Sequence, residues 1–151
     1  MMFGDPKNFE KEFIQRTKEN ICALDKAGSP YDITQFINSM LGLLIIPKEK
    51  YYKQLQDSMI DSTLLQKVQS CCHPAEDLQN TVRRLRNAVS HGHLKFEAEK
   101  YPDGTIGDEI KRITFRDEDK NKPGDIFIAK LEVDLLKRFV LAFADSIITL
   151  T

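Results

Sequence analysis

The chain has no apolar stretch long enough to cross a bilayer. Its longest hydrophobic run, near Phe36 to Ile46, is interrupted by Asn38 and Ser39, whereas a spanning helix needs roughly 20 predominantly apolar residues. The opening residues Met1-Met2-Phe3-Gly4-Asp5-Pro6 carry neither a basic nor an apolar region, so they are not expected to act as a secretory leader. Cysteine is scarce. Cys22, Cys71 and Cys72 form an odd set with one adjacent pair and no Cys-x-x-Cys spacing, which argues against a disulfide framework and points to a reducing, cytoplasmic compartment. An excess of charge is missing too. Lys plus Arg is 22 and Asp plus Glu is 23, so no global positive field holds a polyanion, and any nucleic acid must meet a local patch.

What is present is the balance of a soluble globular protein. Hydrophobic residues are 41% and charged residues 30% of 151, enough for one domain, residues 1–151, with a core that needs no covalent staples. Asp5-Pro6 suits a helix start, with Asp as N-cap and Pro at the first helical position. Phe9, Phe13, Thr17, Ile21 and Leu24 then recur at helical spacing until Ala27-Gly28-Ser29-Pro30. A second helix from about Asp32 puts Ile33, Phe36, Ile37, Met40, Leu41 and Leu44 on one side. Leu43, Ile45 and Ile46 make its end apolar almost all round, as in a helix buried by several neighbours. Met40 to Ile46 thus reads as core rather than dimer surface, and Gly42 would let a neighbour approach closely. Pro47-Lys48-Glu49 marks a break, and Tyr51 to Gln69 reads as one or two helical pieces.

His73-Pro74-Ala75-Glu76 opens the next helix, whose stripe Leu78, Val82, Leu85 and Val89 is expected to be buried and whose stop is Gly92. After Gly92 the period changes. Leu94, Phe96 and Ala98 alternate with charged residues, as do Ile113 and Phe115, and Ile126 to Leu131 makes a third short strand. Tyr101-Pro102-Asp103-Gly104 and Lys122-Pro123-Gly124-Asp125 are turn sequences. A last helix from about Val133 carries Leu135, Leu136, Phe139, Val140, Phe143 and Ile147 inward. The order is helices, a small antiparallel β element, then a final helix.

Chemistry concentrates in Arg83 to His93, which reads Arg-Arg-Leu-Arg-Asn-Ala-Val-Ser-His-Gly-His at a helix end. Arginine offers a permanently charged fork that matches phosphate oxygens, and histidine exchanges protons near neutral pH. Metal-free RNA cleavage needs these functions: a base for the ribose 2′-hydroxyl, an acid for the leaving oxygen, and a cation for the charge on phosphorus. His91 sits where unpaired helix carbonyls favour a protonated imidazole and the nearby arginines oppose it. Asn87, one turn earlier, lies on nearly the same face and could orient the ring. On an ideal helix, however, five positions rotate by roughly 140°, so Arg86 and His91 diverge unless the helix unwinds near Ser90-His91-Gly92 or two subunits pair.

Arg86-Asn87-Ala88-Val89-Ser90-His91 resembles the Arg-x4–6-His motif of the HEPN superfamily, with four intervening residues. Phe36 to Glu49 is similar to the second helix of a plasmid- and prokaryote-borne HEPN nuclease branch. The resemblance implies a mainly α fold, an antiparallel helical bundle with a small antiparallel β insertion before the last helix. It further implies a homodimer that brings two motif copies to one cleft and cuts RNA without metal or cofactor, often as a toxin or in phage defence. Arg86 and His91 would be the catalytic pair and Asn87 the polar position beside them. Toxin-type members paired with nucleotidyltransferase antitoxins often carry Tyr two residues after the His. Here that position is His93, which argues against that mechanism while leaving an antitoxin or other regulatory partner open.

Bland alternatives stand beside each assignment. Arg86, Asn87 and His91 also suit a solvated helix end, and a HEPN-like dimer that binds RNA or protein without cutting is the second functional reading. Arg83, Arg84 and His93 are candidate RNA contacts or plain surface groups. Cys71-Cys72-His73 lacks the spacing and the second ligand group of a zinc site and reads as small residues near a helix start. Lys95, Lys111, Arg112 and Arg116 extend a positive cleft or, more simply, form the polar face of a half-exposed sheet.

Overall fold

A computed structural model describes residues 9–27, 32–45 and 49–150. The expected helix start at Asp5-Pro6, the stop at Gly28-Ser29-Pro30 and the break at Pro47-Lys48 lie outside them, as do the side chains of Phe9, Leu24, Ile33 and Ile45. Helices α1 (Phe9–Ala27), α2 (Asp32–Ile45), α3 (Glu49–Tyr52) and α4 (Ser62–Ser70) precede a two-residue strand β1 (Cys72–His73). Then follow α5 (Leu78–Ser90), strands β2 (Leu94–Lys100), β3 (Ile106–Glu118) and β4 (Ile126–Glu132), and α6 (Val133–Thr149). Tyr51 to Gln69 thus resolves into the end of α3, a 3-10 turn over Asp57–Met59 and most of α4.

Each helix forms for a local reason and is held by what it covers. Asp61 caps α4 by accepting from the Thr63 and Leu64 amides at 2.7 and 3.1 Å. Residues Phe36, Ile37, Met40, Leu43 and Leu44 of α2 are buried against α1, α5 and α6, as the apolar periodicity requires. Gly42 is less crowded than expected: a Cβ there would meet the Phe13 ring at 3.9 Å, an ordinary contact. On α6, Leu136, Phe139, Val140, Phe143 and Ile147 are buried, and Leu135 packs at the margin.

The expectation of a mainly helical bundle with a small β insertion is corrected. Among the described residues the strands form one four-stranded antiparallel sheet in the order β1-β4-β3-β2, so the architecture is α+β. Two features raise the sheet above an insertion. β1 comes from ahead of α5 and pairs Cys72 with Ala129 and His73 with Ile128, so α5 starts later than His73, at Leu78. β3 runs 13 residues, well beyond Ile113 and Phe115, because pairing with β2 carries the charged stretch before Ile113 into strand despite its low intrinsic preference. Ile113, Phe115, Phe127, Ala129 and Leu131 on its inner face are wholly buried in the same core as the helices.

One polar cluster joins the two layers. Asp117 follows Ile113 and Phe115 on the inward face of β3, and it is buried. Arg84, buried on α5, donates to Asp117 Oδ2 at 3.0 Å and to Asp125 Oδ1 at 2.6 Å. Its guanidinium also lies 5.8 Å from the centroid of the Phe127 ring. A carboxylate removed from water needs such partners, and losing one is costly. Arg84→Met is therefore expected to lower the unfolding free energy by about 3–5 kcal/mol, with the R84M/D117L double variant recovering most of it in urea unfolding. An equal loss in both variants would remove the stranded charge as the cause.

Candidate functional site

Helix α5 begins with the Asp77 side chain accepting from the Asn80 amide at 2.8 Å. The Leu78 amide donates to Asp57 at 2.8 Å. The helix is buried on two sides: Leu78, Val82 and Leu85 form the expected stripe, and Thr81, Arg84 and Ala88 face the sheet layer. Val89 is only partly covered. Gln79, Asn80, Arg83, Arg86, Asn87 and Ser90 are left on the outer side, half-buried or exposed.

The helix stays regular to Ser90 and then stops in a Schellman turn. The His93 amide donates to the Ala88 carbonyl at 2.8 Å and the Gly92 amide to the Val89 carbonyl at 3.0 Å. Gly92 occupies the left-handed region at φ 69, which a glycine enters without steric cost. The His93 carbonyl then accepts from the Arg116 amide at 3.1 Å, which ties the start of β2 to β3. His91 and His93 are exposed on either side of this turn, with ring centroids 6.0 Å apart and planes tilted by 55°.

Three depressions lie along this surface. The first, of about 350 Å3, is lined by Tyr52, Lys53, Gln79, Asn80, Arg83, Arg86 and Asn87, with three cations and no carboxylate. Its floor is Tyr52, whose ring centroid lies 5.1 Å from the Arg86 guanidinium and whose hydroxyl donates to the Leu44 carbonyl. Burial pushes the Tyr52 pKa up to about 12 against the opposing pull of Arg86, so the phenol stays neutral. Gln79 donates to the Tyr52 carbonyl at 2.8 Å, and Arg83 donates to the Asn80 side-chain oxygen. The second depression, also about 350 Å3, includes Arg83, Asn87, His91, Asp117, Lys120 and Asn121. The third, about 380 Å3, includes His91, His93, Arg116, Glu118 and Lys120.

Arg83 and Asn87 thus form a wall common to the first two hollows, and His91 is common to the second and third. Arg86 and His91 line different hollows of the protomer, and the helix does not unwind to bring them together. Arg84 leaves the set of candidate contacts because its guanidinium is committed to Asp117 and Asp125. Of the strand cations Lys95, Lys111, Arg112 and Arg116, only Arg116 borders the histidines, and it pairs with Glu118 at 3.2 Å. Lys95 and Arg112 pair with Glu97, and Lys111 with Glu109.

Sequence reasoning missed three contributors. Asp117 accepts a long contact of 3.5 Å from Asn87 as well as the Arg84 bond. The signal was its parity with Ile113 and Phe115, which puts an acid on an apolar face. Tyr52 and Lys53 had no such signal, because α3 meets α5 only through the fold. Cys71-Cys72-His73 lies at the C-terminal end of α4 and in β1 rather than near a helix start. The Cys72 thiol donates to the Val68 carbonyl at 3.2 Å, and burial pushes its pKa up to about 12, which makes it a poor nucleophile. Among the described residues no group of three His, Cys, Asp or Glu side chains is placed to hold a metal, and no helix is long and apolar enough to cross a membrane.

In comparisons with known proteins, the family model described as HEPN pEK499 p136 matches residues 3–150. No curated protein and no solved structure matches.

Gly92→Ala is expected to destabilise the fold by about 1 kcal/mol, the cost of a Cβ in the left-handed region, since the space around it is open. Gly92→Asn should cost less. Thermal or urea unfolding reads both, and an unchanged Gly92→Ala would show that this turn does not hold the histidines in place.

Proposed function

The chain belongs to the HEPN pEK499 p136 family, and from that premise we propose that it is a metal-independent endoribonuclease. The observation that carries this reading is the wall of Arg83 and Asn87 between the Arg86 hollow and the His91 hollow. An RNA strand crossing that wall would put a phosphate over Asn87, with a guanidinium on one side and an imidazole on the other. Arg86 would bind and stabilise the phosphate, His91 would act as general acid or base, and Asn87 would orient one of them. Attack by the 2′-hydroxyl yields a 2′,3′-cyclic phosphate and a 5′-hydroxyl. We further propose a homodimer with two motif copies at one cleft, acting in the cytoplasm as a toxin or defence effector under a regulatory partner.

Purified protein incubated with RNA in excess chelator tests the reaction. His91→Ala should lower cleavage by about 10²–10⁴-fold and Arg86→Ala by about 10²–10³-fold, with helical content and oligomeric state unchanged. Cleavage by His91→Ala at the wild-type rate would take that residue out of the mechanism.

The separation of Arg86 and His91 into different hollows favours a second reading, a module that binds RNA without cutting it. Both readings use the cationic hollow. Replacing Lys53 and Arg83 by Gln in the His91→Ala background should flatten the slope of log affinity against log salt by about 0.7 per lost phosphate contact. Cleavage by the wild type decides between the readings. An unchanged slope would remove the hollow from RNA binding.

A further inference from the structure

The proposed cleavage moves two protons, one from the 2′-hydroxyl and one to the 5′ oxygen, whereas the motif supplies a single imidazole per chain. The second lies beside it. His93 is exposed, its ring centroid is 6.0 Å from that of His91, and both rings border one depression of about 380 Å3. Their backbones are fixed on both sides of Gly92 by the bonds to Ala88, Val89 and the Arg116 amide, so the spacing is built into the end of α5 rather than left to a mobile loop.

We propose that His91 and His93 of the same protomer are the acid–base couple of the cleavage. The proposal rests on the RNA-cleaving reading of this surface and adds that each protomer carries a full proton-transfer set. In the reaction, one neutral imidazole takes the 2′-hydroxyl proton as the O2′–P bond forms. The P–O5′ bond breaks, and the other ring, an imidazolium, gives its proton to O5′. The products are the 2′,3′-cyclic phosphate and the 5′-hydroxyl. The two rings exchange protonation states and return to the start through water, so nothing else is consumed.

Such a couple needs one ring charged and one neutral, and groups of both signs surround the rings. Glu118 of β3 and Asp119 of the following turn bring carboxylates to the depressions. Arg116 of β3, which pairs with Glu118 at 3.2 Å, Lys120 of the turn and Arg83 of α5 bring cations, and the Asp117 carboxylate is already paired with Arg84.

The test is His93→Gln in the full chain, with RNA cleavage in chelator followed across pH. His93 makes only backbone hydrogen bonds among those described for it, so the variant is expected to keep the wild-type NMR dispersion. A drop in kcat/KM of about 10²-fold or more, with loss of one limb of a bell-shaped profile, supports the couple. A rate within threefold of wild type with both limbs intact overturns it and leaves the second proton to another group, such as a second protomer's copy of His91. A wild-type protein inert toward RNA sinks the nuclease reading and with it the catalytic role of the couple, whereas an active wild type with an unaffected His93→Gln sinks the couple alone.

Discussion

Arg84 is the constraint around which this structure is organised. It carries a permanent charge on a helix face that is otherwise Leu, Val, Thr and Ala, and it is 3% exposed, so burying α5 obliges the fold to bring anions to it. β3 supplies one from its inward face and the β3–β4 turn supplies the other. Pairing two nitrogens of one guanidinium thereby ties α5 to β3 and to the turn that walls the histidine depressions, with Nε left without a partner. Hydrophobic packing alone would let these layers slide, since apolar contact is non-directional. Hydrogen bonds to two separate carboxylates do not.

The candidate site is a by-product of the way α5 ends. Nothing within the helix brings Arg86 and His91 together, because the helix stays regular and their positions diverge around it. What makes the surface continuous is the sharing of walls: Arg83 and Asn87 face both ways, and His91 faces two hollows. The left-handed turn at Gly92 then reverses the chain into β2 and sets a second imidazole next to the first. Asn87 connects this surface to the buried charge cluster through its contact with Asp117, so the polar residue beside the arginine is oriented by the same acid that holds the layers.

Much of this was readable in the residues. The stripe Leu78, Val82 and Leu85, the stop at Gly92, the turns around Gly104 and Gly124 and the inward face of α6 all follow from local periodicity or backbone preference, and the structure bears them out. The family was legible too, and its model matches residues 3–150. Strand pairing was not. β1 is two residues long, has no period and owes its state to β4 far along the chain, and β3 before Ile113 is too charged to announce a strand and owes its state to pairing with β2. For the same reason Arg84 read as one more surface cation in a basic run, and Tyr52 carried no sign that it would become the floor beneath Arg86.

The β3–β4 turn divides labour between its base and its tip. Its base is locked: Asp119 donates its amide to the Asp125 carbonyl, Asp125 donates to Lys122, and the Asp125 carboxylate holds Arg84. Its tip, Lys120 and Asn121, is exposed and points side chains at the histidine hollow without any role in the core. Substitutions at the tip can therefore drift without disturbing the frame, and related chains are free to diverge in what they grip there while inheriting the same scaffold beneath.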